Sequence, residues 1–301
     1  MDNKQTDPGI LPVKSVIAVH DLSCFGRCAL TLVIPTLAAM GVQPLPLPTA
    51  ILSAHTGFSG VAVQRLDEFM PACLAHWKKL GVSADAVYSG YLADTGQVDL
   101  VKEIIAWQRA AHSALAVVDP AMADNGRLYS GVPADMPKAM KRLCDEADVI
   151  TPNVTEAALM LNESCSDGPM SDAALFALLN GFSAENVVIT SAVLADGEHA
   201  NVCRARGEAG FWVCPYRRVG AAYHGTGDLF TSVLTGALLR GANMKDAVRQ
   251  AGGFVRRVIE ASVASGADPR FGVQLEAALL SLAAAEDAEE APRFVPMPTT
   301  A

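Results

Sequence analysis

The sequence predicts a three-layer α/β/α sandwich built around a mostly parallel sheet. Short apolar runs rich in β-branched residues alternate with longer helical patterns along most of the 301 residues. This alternation is typical of parallel strands joined by right-handed crossovers. One run, "ALAVVDP", is almost continuously apolar, as expected for a strand that helices cover on both faces.

The elements follow in order along the chain. The apolar periodicity predicts strands at 13–20, 44–49, 86–92, 114–120, 148–153 and 186–192, a hairpin at 198–218, and helices at 29–41, 67–81, 95–111, 133–147, 155–162, 173–182, 244–266 and 273–286. Another helix begins at the motif "HGTGD", residues 224–228.

Three elements carry particular signals. In helix 95–111 the buried face is predicted to consist of Val98, Val101, Ile104, Ile105 and Gln108. The segment at 44–49 carries three prolines, which suit only an edge strand or a polyproline segment. The glycines of "GEAG", residues 207–210, predict the turn of the hairpin.

Composition predicts one large domain. Hydrophobic residues make up 51% of the chain, enough for a large core, and no long polar linker divides it. We therefore expect a single domain over residues 1–285. The last stretch, 286–301, is acidic and then proline-rich, and it predicts a disordered tail.

Net charge and hydropathy argue against two classes of partner, nucleic acid and membrane. The net charge of −9 and the pI near 5.1 argue against nucleic acid as the main partner. No apolar run reaches the roughly 18 residues of a spanning helix, and the N-terminus is polar and acidic. Seven cysteines without a C-x-x-C pair favour reduced thiols over a metal site or a disulfide framework. The expectation is a cytoplasmic protein that contacts no membrane.

The motif "HGTGDLF" has two interpretations. Gly225, Thr226 and Gly227 at a helix start could point backbone amides at a phosphate, with Asp228 beside them as a base. The alternative is a glycine turn followed by an acid that the helix dipole stabilises. The motif alone leaves both open.

The motif "TPNVTE" is also ambiguous. Asn153 and Glu156 have the spacing of a capping box. Alternatively, Glu156 holds Mg²⁺ through water on the phosphates of a nucleotide, since one or two carboxylates suffice for this ion. Asp119 and Asp124 follow another strand, and acids near a phosphate site would repel the ligand unless a cation lies between them. The chain has neither a P-loop nor a G-x-G-x-x-G after the first strand.

Small polar residues cluster after two strands. His20, Asp21 and Ser23 follow the first strand, and His55 and Thr56 lie in a later loop. Ligands of open parallel sheets bind at the carboxyl ends of the strands, so these residues are candidates for a pocket that takes a small polar ring or a sugar. A lone histidine is more often structural, and no Ser–His–Asp arrangement can be assigned.

Taken together, the motifs resemble a known family. "VHDLSCFGRCALT", "LSAHTGF", "SGYL", "DPAMADNG", "TPNVTE" and "HGTGDLF" occur in the order seen in the ribokinase-like superfamily, with most similarity to pyridoxal and pyridoxamine kinases of vitamin B6 salvage. The resemblance spans about residues 13–280. It implies the α/β/α fold derived above, a homodimer, and a kinase that uses MgATP. K⁺ is a further candidate cofactor, and the sequence leaves the requirement for a monovalent cation open.

The resemblance also implies roles for individual residues. Asp228 resembles the base that takes the proton of a 5′-hydroxymethyl group, and the loop before it resembles the anion hole around the γ-phosphoryl group. The remaining residues fall into three groups: a magnesium and phosphate shell of Asp119, Asn153 and Glu156 with Asp124 and Thr151 nearby; nucleotide contacts at Thr190, Ser191, Thr226 and around 203–220; and an acceptor pocket of His20, Ser23, His55, Thr56 and Tyr91.

The first loop departs from the family pattern. Many pyridoxal kinases have a serine where this chain has His20, so the preferred vitamer stays open. Tyr223 stands where some dual-activity relatives have a cysteine, which disfavours the dual type of hydroxymethylpyrimidine kinase. The alternatives are a kinase of hydroxymethylpyrimidine or another small alcohol, and a sensor that binds a vitamer without turnover.

Overall fold

A mostly parallel sheet forms the centre of the protein. The computed structural model describes residues 13–164, 168–220, 222–282 and 291–297. In these ranges the strands are β1 Lys14–Ser23, β2 Val42–Leu52, β3 Val63–Arg65, β4 Ala86–Ser89, β5 Leu115–Val118, β6 Ala123–Asp124, β7 Arg127–Leu128, β8 Val149–Ile150, β9 Asn186–Val193, β10 His199–Arg204, β11 Gly210–Pro215 and β12 Arg293–Pro296. Ten of them form one sheet in the order β12-β11-β10-β9-β8-β5-β4-β1-β2-β3, and β6 pairs with β7 separately.

Helices cover both faces of this sheet. They are α1 Leu30–Ala39, α2 Phe69–Leu80, α3 Thr95–His112, α4 Met136–Asp145, α5 Val154–Leu161, α6 Asp172–Asn180, α7 Thr226–Leu239, α8 Met244–Ser265 and α9 Leu275–Leu279, with a 3₁₀ turn at Pro269–Phe271. The core on one face comes from α2 to α6, and the core on the other face comes from α1 and α7 to α9. The predicted three-layer α/β/α sandwich is confirmed.

Strand direction determines where the site can lie. Neighbouring strands run parallel from β2 through β1, β4, β5 and β8 to β9, whereas β10 to β12 and β3 pair antiparallel. The carboxyl ends of the parallel strands therefore meet at one edge of the sheet, where ligands bind in such folds.

The proline-rich strand β2 lies near one end of the sheet. It pairs with β1 along most of its length but meets β3 only at Ala50, Ile51 and Leu52. Pro44, Pro46 and Pro48 thus lie in the part of β2 that no second strand pairs with on the β3 side. A residue without an N–H group costs no inter-strand hydrogen bond on that side. The prediction of an edge strand is confirmed for this part of β2.

Helix α3 follows the predicted periodicity. Its buried residues include all five of the predicted face. The polar member, Gln108, donates to the carbonyl of Val82 at 3.1 Å and accepts from the N–H of Ala84 at 2.9 Å. These bonds satisfy a buried amide, as burial of a polar group requires.

The C-terminal segment differs from the expectation. Arg293–Pro296 forms the edge strand β12, so the prediction of disorder over 286–301 is wrong for this stretch. The backbone of the edge strand β11 provides hydrogen-bond partners for this segment, and the local composition of 286–301 does not indicate them. Phe294 packs on Trp212 with ring centroids 5.1 Å apart, and Arg293 pairs with Glu198 at 2.7 Å. Residues 283–290 and 298–301 lie outside the described part of the chain.

Over the described residues, no helix is both long enough and apolar enough to span a bilayer.

Candidate active site

The site is organised around the start of α7. Gly225, the N-cap residue, has φ 83° and ψ 2°, a left-handed conformation that favours glycine. A Cβ at this position would lie 2.5 Å from Leu32 Cδ1 and 2.6 Å from the carbonyl oxygen of Arg27. Both the backbone angle and the packing therefore require glycine.

No side chain of the described residues caps this helix. By contrast, Asp94, Asn153, Ser171 and Asn243 cap α3, α5, α6 and α8 through their side chains. The first amides of α7 have no intrahelical acceptor, and together with the helix dipole they form a place for an anion. The start of α7 can therefore bind a phosphoryl group.

Asp228 lies in the first turn of α7. Its Oδ2 accepts a hydrogen bond from the N–H of Ala29 at 2.8 Å, and its side chain is 16% exposed. Its backbone carbonyl accepts from the hydroxyls of Ser232 at 2.6 Å and Tyr88 at 3.3 Å. The residue is thus both a helix-start acid and a rigidly placed carboxylate beside the anion site, and the two interpretations of the motif are compatible.

Asp119 lies next to the same loop. A Cβ on Gly227 would be 3.7 Å from Asp119 Oδ2, and the hydroxyl of Thr231 donates to that oxygen at 3.4 Å. Thr151 contacts the hydroxyl of Thr231 at 2.9 Å. Burial, followed by the charges of Glu156 and Asp228, raises the pKa of Asp119 well above its ordinary value. Among the described residues, no cationic side chain lowers the pKa of this carboxyl group.

Glu156 forms the predicted capping box. Its N–H donates to Asn153 Oδ1 at 2.8 Å, and its Oε2 accepts from the N–H of Asn153 at 2.9 Å. Its Oε1 accepts from the N–H of Met122 at 3.0 Å, which ties the loop after β5 to α5. Glu156 is only 3% exposed, and burial raises its pKa to about 8. These backbone donors give Glu156 a structural role, because they link α5 to the loop after β5.

A cavity of about 520 Å³ opens on one side of the α7 start. Six of the predicted residues line it: Asp124, Asn153, Thr190, Ser191, Thr226 and Gly227. Ser191 has φ 60°, and its N–H donates to Asn201 Oδ1 at 3.2 Å, next to a register shift between β9 and β10. The cavity therefore touches the loop that forms the anion site.

None of the predicted acceptor residues lines this cavity, and one of them, His20, lies next to Asp228. His20 is fully buried, and its Nδ1 lies 3.7 Å from Asp228 Oδ1. Ser23 is also buried and donates to Asp21 Oδ2 at 2.9 Å. Burial and the charge of Asp228 raise the pKa of Asp21 to about 6. Burial and the charge of Asp21 raise the pKa of Tyr91.

His55 has the geometry of a structural histidine. Its Nδ1 accepts from the N–H of Gly57 at 3.1 Å, and its Nε2 lies 2.7 Å from the carbonyl oxygen of Arg270. Its ring also packs on His224, with centroids 4.4 Å apart. Because the backbone occupies both nitrogens, neither is free for a substrate, and Thr56 is exposed on the same loop.

Comparison with known proteins assigns the family. The model of the phosphomethylpyrimidine kinase family matches residues 33–271. The chain belongs to this family.

Solved structures and named relatives are similar to this chain over most of its length. A Bacteroides thetaiotaomicron protein, assigned as a phosphomethylpyrimidine kinase and crystallised with pyridoxal, is 38% identical with a TM-score of 0.88 and covers 94% of this chain and 100% of its own. Pyridoxal kinase from Lactobacillus plantarum is 31% identical with a TM-score of 0.82, covering 91% and 98%. A pyridoxine/pyridoxal/pyridoxamine kinase of Bordetella avium is 29% identical over 77% of this chain and 80% of its own. The ribokinase-like fold expected from the motifs is confirmed.

Within this family member, sequence reasoning missed one wall of the cavity. The residues of α8 that line it, together with Tyr216 and Val219, are Gly252, Val255, Arg256 and Ile259. Of the predicted stretch 203–220, only 216–219 reach the cavity, because the strand residues before them belong to the sheet. The sequence feature that could have indicated this wall is the pair of glycines inside α8. In the structure, a Cβ on Gly252 would lie 3.1 Å from Asn201 Nδ2, so the glycine allows a close approach there.

Proposed function

We propose that this protein is an ATP-dependent kinase that phosphorylates the 5′-hydroxymethyl group of a vitamin B6 vitamer. One observation carries the proposal: the Asp228 carboxylate lies at an uncapped helix start, with the 520 Å³ cavity reaching that start and a buried polar group beside the carboxylate. The cavity suits a nucleotide, and the group around Asp21 suits a small polar ring. The named relatives, which are kinases of these vitamers, support the assignment.

The reaction follows from this arrangement. Asp228 takes the proton of the acceptor hydroxyl, and the resulting oxygen forms a bond to the γ-phosphorus of ATP. The bond between that phosphorus and the β–γ bridging oxygen breaks, and ADP leaves with the electron pair. The amides of Gly225, Thr226 and Gly227 donate to the transferring oxygens, so the protein contributes mainly position and charge stabilisation.

Mg²⁺ fits the carboxylates beside the loop. Asp119 is buried without a positive partner among the described residues, and its pKa is raised in part by two neighbouring acids. A divalent cation would relieve this repulsion and would neutralise phosphate charge when bound. Asp119 is the residue we assign to hold it. Glu156, whose oxygens both accept from backbone amides, would act through an intervening water or through its charge.

The metal-free protein is expected to lose stability as pH rises. The pKa of Glu156 is about 8 in the fold against an ordinary value of 4.5. The folded state therefore binds more protons than the unfolded state between these values, so stability is highest below about pH 4.5 from this group and falls up to pH 8. Thermal unfolding from pH 5 to 8.5 in EDTA measures this dependence.

Asp119→Asn should flatten that dependence and raise the melting temperature at pH 8, because it removes a second buried carboxyl group whose own pKa is raised by burial and by the charge of Glu156. The control is Asp99→Asn on the exposed side of α3, which should leave the curve unchanged. A melting temperature of the parent protein that does not vary with pH would contradict the raised pKa of Glu156.

A substrate panel tests the proposed function directly. ATP-dependent phosphorylation of pyridoxamine, pyridoxal, pyridoxine and hydroxymethylpyrimidine should give the highest kcat/KM for one of the three B6 vitamers. Faster turnover of hydroxymethylpyrimidine would favour the second candidate, to which the description of the family model points. Binding of a vitamer without turnover would favour a sensor, although the chain retains Asp228 and the glycines of the loop.

The family resemblance also supports a homodimer. Sedimentation velocity should then give a single species of twice the chain mass, and a monomer at micromolar concentration would refute it.

A further inference from the structure

We propose that His20 is a positioning residue for Asp228, with its buried imidazole holding the carboxylate oxygen that receives the acceptor proton. This inference rests on the proposed kinase function. It concerns a residue that motif resemblance assigned to the acceptor pocket, whereas the structure shows it packed beside the base.

The burial of His20 requires an explanation. His20 lies within β1 and its side chain is 0% exposed. Neither ring nitrogen has a hydrogen-bond partner among the described residues. Buried polar groups are normally satisfied, because leaving one unpaired costs free energy. Nδ1 lies 3.7 Å from Asp228 Oδ1, and the carboxyl group of the adjacent Asp21 also interacts with the charge of His20. A small movement of either side chain would convert this contact into a hydrogen bond.

Each carboxylate oxygen of Asp228 would then accept a hydrogen bond from a different residue, Oδ2 from Ala29 and Oδ1 from His20. The N–H of Ala29 donates to Oδ2 at 2.8 Å, so this oxygen is already anchored. His20 faces the other oxygen, Oδ1. A carboxylate oxygen accepts more than one hydrogen bond, so Oδ1 can be oriented by the imidazole and still take the proton of the acceptor hydroxyl.

Tyr88 and Gly90 pack against the imidazole of His20 and hold it beside Asp228. The ring packs edge-on against Tyr88, with centroids 4.3 Å apart and an interplanar angle of 76°. On another side, a Cβ on Gly90 would overlap Nδ1, so the glycine leaves just enough room for the ring. Tyr88 also donates to the backbone carbonyl of Asp228, which links the two contacts. The pocket around His20 is therefore shaped to direct Nδ1 at the base.

The same geometry argues against a proton relay. A relay through the ring would need a partner for Nε2, and that atom is buried with no partner in the described part of the chain. The hydroxyl proton therefore moves to Asp228 alone. His20 therefore acts through Asp228 and does not exchange protons with the substrate.

Two variants of His20 separate positioning from packing. His20→Asn keeps a polar group near the position of Nδ1, whereas His20→Leu fills the space with an apolar side chain. We expect His20→Leu to lower kcat by about ten- to a hundred-fold, because loss of orientation slows the reaction without weakening binding. KM for ATP and for the vitamer should change little, and His20→Asn should recover most of kcat.

Gly90→Ala is an independent test, because it displaces the imidazole without altering it. The variant should reproduce the loss of kcat with KM retained. Melting temperatures of all three variants establish that they fold.

The possible results are distinct. If His20→Leu keeps the parent kcat, or if both His20 variants lose kcat and melting temperature equally, His20 has only a packing role and the inference is overturned. If the parent protein phosphorylates none of the vitamers, the proposed function fails and this inference falls with it.

Discussion

Asp228→Asn is expected to lower kcat by about two to four powers of ten, the range for loss of a positioned general base. The amide keeps the shape of the side chain and can still contact Ala29, but it cannot take the proton of the acceptor hydroxyl. Nucleotide affinity should be nearly unchanged, because Asp228 does not line the 520 Å³ cavity. Single-turnover rates and ADP titration calorimetry measure the two effects separately.

Asp99→Asn again provides the matched control, since it makes the same chemical change on the exposed side of α3. If Asp228→Asn retained near-parent turnover, the residue would be only the helix-start acid of the alternative interpretation. A loss of ADP affinity equal to the loss of rate would instead indicate that the loop had been disrupted.

Gly225→Ala should abolish most activity and also destabilise the fold. The left-handed backbone costs a non-glycine residue about 1–2 kcal/mol, and overlap of the new Cβ with Leu32 and Arg27 adds about 1–3 kcal/mol. The expected loss of unfolding free energy is therefore about 2–5 kcal/mol. Displacement of the amides that face the phosphoryl group should lower kcat by about two to three powers of ten.

Gly241→Ala separates the two causes. Gly241 follows α7 with φ 91°, but its Cβ would meet no atom within 4 Å. We expect it to lose only the backbone contribution, about 1–2 kcal/mol, with parent activity. Urea unfolding and steady-state kinetics on both variants provide the comparison. Equal behaviour of the two would show that packing against Leu32 and Arg27 contributes nothing.

Local sequence patterns predicted features whose cause is also local. The capping box of Asn153 and Glu156 spans three residues and forms as expected. The prolines of β2 lie along an open side of the strand, since a proline excludes a ladder bond wherever it stands. The helix start at Gly225 combines a left-handed glycine with an acid in the first turn, and both signals are readable in five residues.

Other features arise from contacts between distant parts of the chain. The N–H of Ala29 meets Asp228 across 199 positions, and Thr231 meets Asp119 across 112. Burial of His20 against Tyr88 and Gly90 follows from pairing of β1 with β4, which no property of His20 reveals. The role of such residues depends on which strands are neighbours.

The amino-acid pattern alone thus specified the sandwich, its parallel centre and the glycine-and-acid start of α7, because periodicity, glycine and capping act within a few residues. Three-dimensional packing settled the rest: His20 beside Asp228, α8 as a wall of the cavity, and Arg293–Pro296 as an edge strand. Each of these features is stabilised by contacts with a segment that is distant in the sequence. Such contacts form only when the chain has folded, so a local sequence pattern does not reveal them.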